Sequence, residues 1–328
     1  MVQTLTFMKK KLLSLLILAL FSYVNVNAES YVDRHGALQA KNAHLYDTNG
    51  NEIQLRGMSM FWSQWMGQYF NYDVIKTLRD DWDCTVVRAA MGVEMGGYID
   101  NPIEEKAKLE AVVQAAIDLG IYVIIDWHSH KAQDYMGEAK DFFSEMALKY
   151  GEYPNVIYEI YNEPINVGWS DVVKPYSELV IAEIRKYDPD NLIILGTPNY
   201  SQKVDVASAD PVEDVNVAYA AHYYSDTHKQ WLRDMILTAI DNGVTVFVSE
   251  FGTCDASGDK GFNIEESNIW WDFMKEHGIS WCNWSIADKD ETASALKPGA
   301  DAHGDWPDSM ITESGHLVKN RLHSERTE

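Results

Sequence analysis

Residues 156–164 read Val156-Ile157-Tyr158-Glu159-Ile160-Tyr161-Asn162-Glu163-Pro164, a mostly apolar and aromatic run that ends in Asn-Glu-Pro. Such a run is typical of a strand that is buried on both faces of a parallel sheet. Pro164 cannot donate a backbone hydrogen bond to a neighbouring strand, so we expect the strand to stop there. Asn162 and Glu163 would then stand at the carboxyl end of a buried strand, where α/β barrels carry their chemistry. Taken alone, Glu163 could equally be a strand-end carboxylate that faces water.

Short apolar runs of this kind alternate with amphipathic segments along the whole chain. The alternation predicts βαβ units and a parallel sheet, and eight such units close into a barrel of about 250 residues. We therefore predict an α/β fold, a single-domain (β/α)8 TIM barrel over residues 29–328. The eight runs are Ile53–Met60, Thr85–Met91, Tyr122–His128, Val156–Pro164, Leu192–Pro198, Val217–Tyr224, Val244–Gly252 and Ile279–Ser285.

Turn and cap signals flank these runs. Asn49-Gly50 predicts the turn of an N-terminal β-hairpin, which we expect to cover the closed bottom of the barrel. Asn101-Pro102 predicts a capped helix start, and Gly120 predicts the end of that helix.

The amino-terminal segment resembles an export signal. Lys9-Lys10-Lys11 precede the apolar segment Leu12–Phe21, and Val26-Asn27-Ala28 form a small-residue cleavage site. The apolar segment is too short to span a bilayer. We therefore predict a signal peptide over residues 1–28 and a mature chain that is secreted to the extracellular space or the periplasm. A retained membrane anchor is the alternative.

The charge and composition limit the class of partner. The 328 residues carry 50 acidic and 27 basic side chains, a net charge of −23. Such a surface repels nucleic acid and anionic membranes, so we predict a monomer with a neutral partner. Eleven tryptophans offer platforms for sugar rings, although core packing accounts for most aromatic residues in proteins.

The three cysteines do not indicate a disulfide framework. Their odd number leaves at least one unpaired, and their spacing does not match a thiolate zinc site. We expect Cys84 and Cys282, which lie in or beside apolar runs, to be small buried side chains.

A second carboxylate ends another apolar run. Glu250 lies in Val244–Gly252, the seventh run, whereas Glu163 ends the fourth. In an eight-stranded barrel these two positions face each other across the mouth. Two opposed carboxyl groups at roughly 5–5.5 Å are typical of a retaining glycosidase, in which one is the nucleophile and the other is the general acid and then the base. This chemistry requires a protonated Glu163 and an ionised Glu250 at rest.

Arg88 lies inside the apolar run Thr85–Met91, where an unpaired charge would be costly to bury. We expect it to contact a carboxylate, and Glu250 is our prediction. Such a contact would hold Glu250 ionised, as a nucleophile requires. The alternative is an ion pair inside the barrel without catalytic consequence.

Three histidines allow a metal interpretation. His128 and His130 are alternate residues at the end of the third run, and with His222 they could supply three nitrogen ligands. The other interpretation makes His128 a neutral hydrogen-bond donor to sugar or carboxylate, with His130 structural. We favour this second interpretation and predict neither a metal nor a cofactor.

Seven segments, in order, resemble those of the family 5 glycoside hydrolases, particularly the secreted bacterial endo-β-1,4-glucanases (cellulases). The resemblance covers about residues 36–317 and implies a β-1,4-glucan substrate. The segments are Leu55-Arg56-Gly57-Met58-Ser59, Val87-Arg88, Asp126-Trp127-His128, Tyr161-Asn162-Glu163-Pro164, Ala221-His222-Tyr223-Tyr224, Ser249-Glu250-Phe251-Gly252 and Trp284-Ser285-Ile286-Ala287-Asp288-Lys289.

The resemblance implies roles for the residues around the scissile bond. Glu163 is the acid/base and Glu250 the nucleophile. Asn162 bonds the sugar 2-hydroxyl, a contact that strengthens in an oxocarbenium-like transition state. Arg88 and Tyr224 orient Glu250 and stabilise its charge.

The resemblance also implies residues that bind the sugar chain. They are His128 and His222 beside the cleavage site, Trp284 as a stacking platform, and Lys289 as a hydrogen-bond donor on the non-reducing side. Many relatives have a histidine soon after Gly-Met-Ser, which this chain lacks. Trp62 or Trp65 could replace its contact by stacking.

Other functions stay open at this point. The same mechanism could act on mannan, xyloglucan or mixed-linkage glucan, because loops around the mouth set the specificity. A metal-dependent hydrolase would use the three histidines. A non-catalytic sugar-binding protein would keep its tryptophans and lose a carboxylate, but both carboxylates are present.

Overall fold

The computed structural model describes residues 29–325. The predicted signal peptide, residues 1–28, lies outside the described residues. Within residues 29–325, none of the helices is both long enough and apolar enough to cross a membrane.

An antiparallel hairpin precedes the barrel, as predicted. It pairs β1 (Gln39–Lys41) with β2 (His44–Tyr46). The turn between them lies at Asn42 and Ala43, both with positive φ. Asn49-Gly50 forms the next turn, between Leu45 and Ile53 as predicted: Ile53 N–H donates to the carbonyl of Leu45 at 2.9 Å, and Glu52 pairs antiparallel with Tyr46.

The hairpin closes the amino-terminal end of the barrel. Ala40 and Leu45 are buried in one cluster with Tyr122, Ile124 and Ile157, which belong to the barrel strands. The predicted cover over the bottom is therefore present.

Eight parallel strands form the barrel. Each pairs with the next in chain order, and the last pairs with the first, so the sheet has no open edge. A two-residue strand, β9 (Tyr223–Tyr224), extends the pairing of β10 at the rim. The predicted (β/α)8 barrel is confirmed. Its strands are β3 (Arg56–Met60), β4 (Val86–Gly92), β5 (Tyr122–His128), β6 (Val156–Glu159), β7 (Ile193–Leu195), β8 (Val217–Ala220), β10 (Thr245–Gly252) and β11 (Ser280–Ile286).

Strand β6 ends earlier than predicted. Regular pairing stops at Glu159, and the chain then runs along the carboxyl rim to Pro164. Two hydrogen bonds fix this rim segment: Ile160 N–H donates to the carbonyl of Ile194 at 3.1 Å, and Glu163 N–H donates to the carbonyl of Ser129 at 3.2 Å. Proline is thus not what ends the strand.

Helices surround the barrel, and short 3-10 and π turns join some of them to the strands. The predicted helix start at Pro102 and its end at Gly120 (φ 68°) are correct. Asn101 does not cap this helix, because its side chain donates to the carbonyl of Gly96. The helices are Tyr31–His35, Ser63–Met66, Tyr72–Asp80, Pro102–Leu119, Met136–Tyr150, Lys174–Ile184, Pro198–Ser201, Val204–Ala209, Gln230–Asp241, Ile264–Glu276 and Glu313–Ser324.

Most of the aromatic content belongs to the core. All three cysteines are buried and free; burial was predicted for Cys84 and Cys282. The layer between strands and helices is filled by large side chains that hold the rim rigid. The fully buried tryptophans are Trp82, Trp127, Trp169, Trp270, Trp271 and Trp281.

Candidate active site

The two predicted carboxylates converge at the carboxyl rim. Glu163 follows β6, and Glu250 lies on β10; both are largely buried. One carboxylate oxygen of each, together with a nitrogen of His222, lies within 4.8 Å of the others. This separation suits a retaining glycosidase, because an inverting pair needs roughly 6.5–9.5 Å for the intervening water.

Arg88 on β4 reaches Glu250, as predicted, and it also makes contacts that the sequence did not predict. Its Nη1 donates to Glu250 Oε2 at 3.0 Å. Its Nε donates to Glu159 Oε2 at 2.6 Å, and its Nη2 donates to Asn162 Oδ1 at 2.7 Å and lies 2.9 Å from Asp126 Oδ2. The guanidinium is fully buried, so three carboxylates share one planar cation.

Tyr224 holds the other oxygen of Glu250. Its hydroxyl donates to Oε1 at 2.9 Å. Burial and the nearby charge of Glu163 raise the pKa of Glu250, and His222, Arg88 and this hydrogen bond oppose the rise. The carboxylate therefore has both oxygens fixed by donors.

Glu163 lies between two imidazoles. His222 Nδ1 is 3.1 Å from Oε1, and His130 Nε2 is 3.2 Å from Oε2. Burial raises the pKa of Glu163, but the hydrogen bonds with the two histidines outweigh it and lower the pKa to about 2. Burial lowers the pKa of His222, but its bonds with Glu159 and Glu163 raise it to about 9.

This arrangement differs from the protonation predicted from the sequence. We expected a protonated Glu163 and an ionised Glu250 at rest. The imidazoles favour an ionised Glu163 beside a protonated His222. The Glu163–His222 pair still holds one dissociable proton, so the proton required for acid catalysis is present but sits on nitrogen.

A buried chain of hydrogen bonds fixes His222 from behind. Its Nε2 lies 2.9 Å from Ser249 Oγ, and Ser249 donates to Glu159 Oε1 at 2.6 Å. Glu159 also accepts from Arg88, so one carboxylate joins the surroundings of Glu163 and Glu250. Glu159 was not predicted as a site residue from the sequence, although its position as a charged residue inside an otherwise apolar run could have indicated it.

His128 and two indoles form the wall on one side. The rings of His128 and Trp284 stack with centroids 5.1 Å apart, and Trp62 meets His128 edge-on at 4.2 Å. Nδ1 of His128 lies 2.6 Å from Asp126 Oδ2. Burial lowers the pKa of His128, which favours the neutral imidazole.

The carboxylates stand in the middle of a cleft. A cavity of about 250 Å³ on the indole side is lined by Trp62, Trp65, Trp284 and Lys289, among others. A second cavity of about 500 Å³ on the opposite side is lined by Tyr200, with Asn199, Gln202 and His228. Both cavities include Glu163 and Glu250, so a chain molecule can extend past the pair in both directions.

Two of the predicted sugar-binding residues lie at the open edge. The Trp65 side chain is 48% exposed, whereas Trp62 is buried. Lys289 contacts the carboxylate of Glu291, and its Nζ lies 5.8 Å from the ring centroid of Phe61. Both residues line the cleft without touching the carboxylate pair.

The metal interpretation required a cluster of three histidines. The group of possible ligands that residues 29–325 bring together is instead Glu163, His222 and Glu250. The guanidinium of Arg88 already compensates Glu250, and a second cation there would meet its repulsion. His128 faces Asp126 and does not join this group.

Comparison with known proteins agrees with this geometry. Residues 46–290 match the model of the cellulase family, glycosyl hydrolase family 5. The chain is 44% identical to an endoglucanase of Clostridium saccharobutylicum over 99% of this chain and 75% of the relative. It is 50% identical to endoglucanase A of Evansella cellulosilytica over 83% of this chain, but spans only 57% of that relative.

A solved structure from Cytophaga hutchinsonii has the same fold. Its TM-score is 0.90 at 54% identity, over 90% of this chain and 97% of that one. The resemblance predicted from seven short segments is thereby confirmed. The chain belongs to glycosyl hydrolase family 5, the cellulase family, and is a glycoside hydrolase.

Proposed function

We propose that this protein is a retaining endo-β-1,4-glucanase that cuts internal bonds of cellulose or related β-glucans. The observation that carries the proposal is the separation of Glu163 and Glu250, whose carboxylate oxygens come within 4.8 Å. The cleft extends to both sides of the pair, which suits an internal bond. The relatives named endoglucanase support the same activity.

In the first step Glu250 attacks the anomeric carbon, and the proton of the Glu163–His222 pair passes through Glu163 to the departing glycosidic oxygen. The C–O bond to the leaving sugar breaks as the bond to Glu250 forms. Arg88 and Tyr224 hold Glu250 by both oxygens, which aims the nucleophile and reduces the freedom it must lose.

In the second step water releases the sugar from Glu250. The ionised Glu163 now takes a proton from the water, whose oxygen attacks the anomeric carbon. Because two inversions occur at one carbon, the β configuration is retained. His222, which bonds the ionised Glu163, stabilises it in the form that this step requires.

The remaining cleft residues bind the sugar chain in this proposal. Asn162 gives its carbonyl oxygen to Arg88 and keeps its amide N–H groups for the sugar 2-hydroxyl. Trp284 and Trp65 offer ring faces on which sugars can stack. Lys289 offers a hydrogen bond on the non-reducing side, and His128 presents a neutral ring beside the cleavage site.

The direct test replaces each carboxylate with its amide. We expect Glu250→Gln and Glu163→Gln to lose nearly all hydrolysis of carboxymethylcellulose while they unfold at the wild-type urea concentration. Glu104→Gln, a change at an exposed carboxylate, is the matched control and should be fully active. Near-wild-type turnover by either amide variant would refute the mechanism, and an inactive wild-type protein that still binds glucan would indicate a sugar-binding protein.

An aryl cellobioside with a good leaving group separates the two roles. Such a group departs without protonation, so Glu163→Gln should still form the glycosyl-enzyme and release the phenol in a burst. Glu250→Gln should release none. Proton NMR of the first product from cellopentaose should show the β anomer, and an initial α anomer would exclude retention.

The preferred polysaccharide is a separate question. We propose β-1,4-glucan because the relatives are named endoglucanases. Initial rates on carboxymethylcellulose, mannan, xyloglucan and mixed-linkage glucan decide it. A preference for mannan would replace the cellulase assignment while leaving the mechanism intact.

We further propose that residues 1–28 direct secretion and that residues 29–328 form a monomeric catalytic domain. The charged, apolar and small-residue order of the first segment supports this. Amino-terminal sequencing of protein from the culture medium should begin at Glu29. Light scattering should give the mass of one chain.

A further inference from the structure

His130 has contacts that the mechanism above does not use. Its Nε2 lies 3.2 Å from Glu163 Oε2, while the other oxygen of Glu163 faces His222. Both oxygens of the acid are therefore in contact with imidazoles. A carboxyl group that must protonate a glycosidic oxygen needs one oxygen open to the substrate, so one imidazole has to give way.

His222 cannot be the one that moves. Its side chain is 2% exposed, and its second nitrogen is fixed by Ser249, which is held in turn by Glu159. Rotation of the ring would break a hydrogen bond at each end inside the barrel. Those buried groups would then be left unpaired at the cost of their full desolvation.

His130 is held only loosely by comparison. Its side chain is 34% exposed and lines the cavities on both sides of the carboxylates. Its ring meets Trp62 and Tyr200 edge-on, with centroids 5.5 and 6.2 Å away. Its backbone carbonyl is anchored by the Tyr161 hydroxyl, so the ring can move while the backbone stays.

We propose that His130 is the exchangeable partner of Glu163: it holds the carboxylate in the free enzyme, and the oxygen of the departing sugar displaces it when substrate binds. This inference rests on the proposed function, because it needs Glu163 to act as the acid. His130 is then a positioning residue, since it acts through Glu163. Displacement leaves Oε2 pointing at the leaving group.

Displacement of His130 also changes the pKa of Glu163, and it does so when the substrate binds. The hydrogen bond from His130 is one of the contacts that lower the pKa of Glu163, so its loss raises the proton affinity of the carboxylate as substrate arrives. The other ionisable groups facing His130 are Glu250 and Glu94, which raise its pKa together with Glu163, and His128, whose pKa it lowers. None of these replaces the contact with Oε2.

Two pH profiles test the proposal on the whole enzyme. The alkaline limb of kcat/KM reports the free enzyme, and that of kcat reports the substrate complex. With cellopentaose as substrate, His130→Ala should move the kcat/KM limb upward by about one pH unit, the effect of one charge-assisted hydrogen bond. The kcat limb should stay in place, because His130 has already left Glu163 in the complex.

The remaining variants separate the possible outcomes. His130→Gln keeps an N–H donor and should restore the wild-type kcat/KM limb, while His303→Gln, at an exposed histidine, should change neither limb. If neither limb moves in His130→Ala, the residue is structural; if both move equally, His130 stays on Glu163 and no exchange occurs. Either result overturns the proposal. Absence of cellopentaose hydrolysis by the wild-type protein would instead refute the proposed function.

Discussion

The Nη1 atom of Arg88 lies 3.0 Å from Oε2 of Glu250, and the same guanidinium bonds Asn162, the residue beside Glu163. One fully buried side chain thus ties the predicted nucleophile to the strand end that carries the predicted acid. A planar guanidinium therefore links the two strands whose ends carry the carboxylates.

Replacement of Arg88 should cost both stability and activity. Arg88→Met leaves Glu159, Asp126 and Glu250 without their cation, and breaking a buried ion pair costs about 3–5 kcal/mol. Urea unfolding measures this loss. We expect kcat/KM of the folded variant to fall at least about 100-fold.

Arg185→Lys provides the control for this change. Arg185 makes two hydrogen bonds to Asp214 away from the cleft. The Arg185→Lys variant should have a lower free energy of unfolding and an unchanged kcat/KM. If Arg88→Met were as active as Arg185→Lys, the ion pair would be structural only.

Tyr224→Phe should slow the reaction while leaving the packing unchanged. The variant loses the hydroxyl that donates to Glu250 Oε1, and a hydrogen bond to a charged group is worth about 1.5–3 kcal/mol, or roughly 10- to 100-fold in rate. That hydrogen bond lowers the pKa of Glu250, so its removal should move the acid limb of kcat/KM to higher pH. An unmoved acid limb would mean that Tyr224 does not hold the nucleophile.

Those features of the site that depend only on where the strands end were predicted from the sequence. Parallel strands bring their carboxyl ends to one rim, so Glu163 and Glu250 could be paired from their order alone, and the cost of burying Arg88 indicated a carboxylate partner. The register of neighbouring strands could not be derived in this way. The register decides that Glu159 and Asp126 also reach Arg88.

The protonation states of the site residues could not be predicted from the sequence, for a different reason. It depends on which groups lie within hydrogen-bonding distance of Glu163, and His130 and His222 come from separate parts of the barrel. The sequence-based expectation made His130 structural, because nothing in its spacing indicates the contact with Glu163. The turn at Asn49-Gly50 was predicted, but the turn at Asn42-Ala43 that joins β1 to β2 was not, because alanine is not typical of a positive φ.

Trp65→Ala should weaken substrate binding without affecting the fold. Its ring is 48% exposed at the edge of the cleft, so truncation removes little core packing. An aromatic contact is worth about 0.5–1.5 kcal/mol, which predicts a fall in kcat/KM of roughly two- to tenfold on cello-oligosaccharides, mainly through KM. Tyr187→Ala, at an equally exposed ring beyond the helix Lys174–Ile184, should change neither constant. Equal kinetics of the two variants would remove Trp65 from the binding site.

Chelation should leave the activity unchanged. Glu163, His222 and Glu250 could together bind a cation, but each already has protein hydrogen-bond partners, and Arg88 supplies the positive charge beside Glu250. Dialysis against a strong chelator, followed by assay in metal-free buffer, measures this. A loss of activity that zinc restores would support the metal-dependent alternative.

The proton shared by Glu163 and His222 predicts a pH dependence of both stability and rate. The pKa of His222 in the folded protein is raised to about 9, above its ordinary value of 6.5, because its bonds with Glu159 and Glu163 outweigh burial. A raised pKa gives a contribution to folding that is complete below pH 6.5 and is lost as the pH rises through about 9. The free energy of unfolding in urea should therefore fall between pH 6.5 and about pH 9, and the alkaline limb of kcat/KM should lie near pH 9.

His222→Gln removes this titration, so its unfolding free energy should change less over the same window than that of the wild type. His130 also has a raised pKa and titrates with the same sign, so part of the loss of stability should remain in His222→Gln. If both proteins lost stability equally between pH 6.5 and 9, the shared proton would not lie on His222.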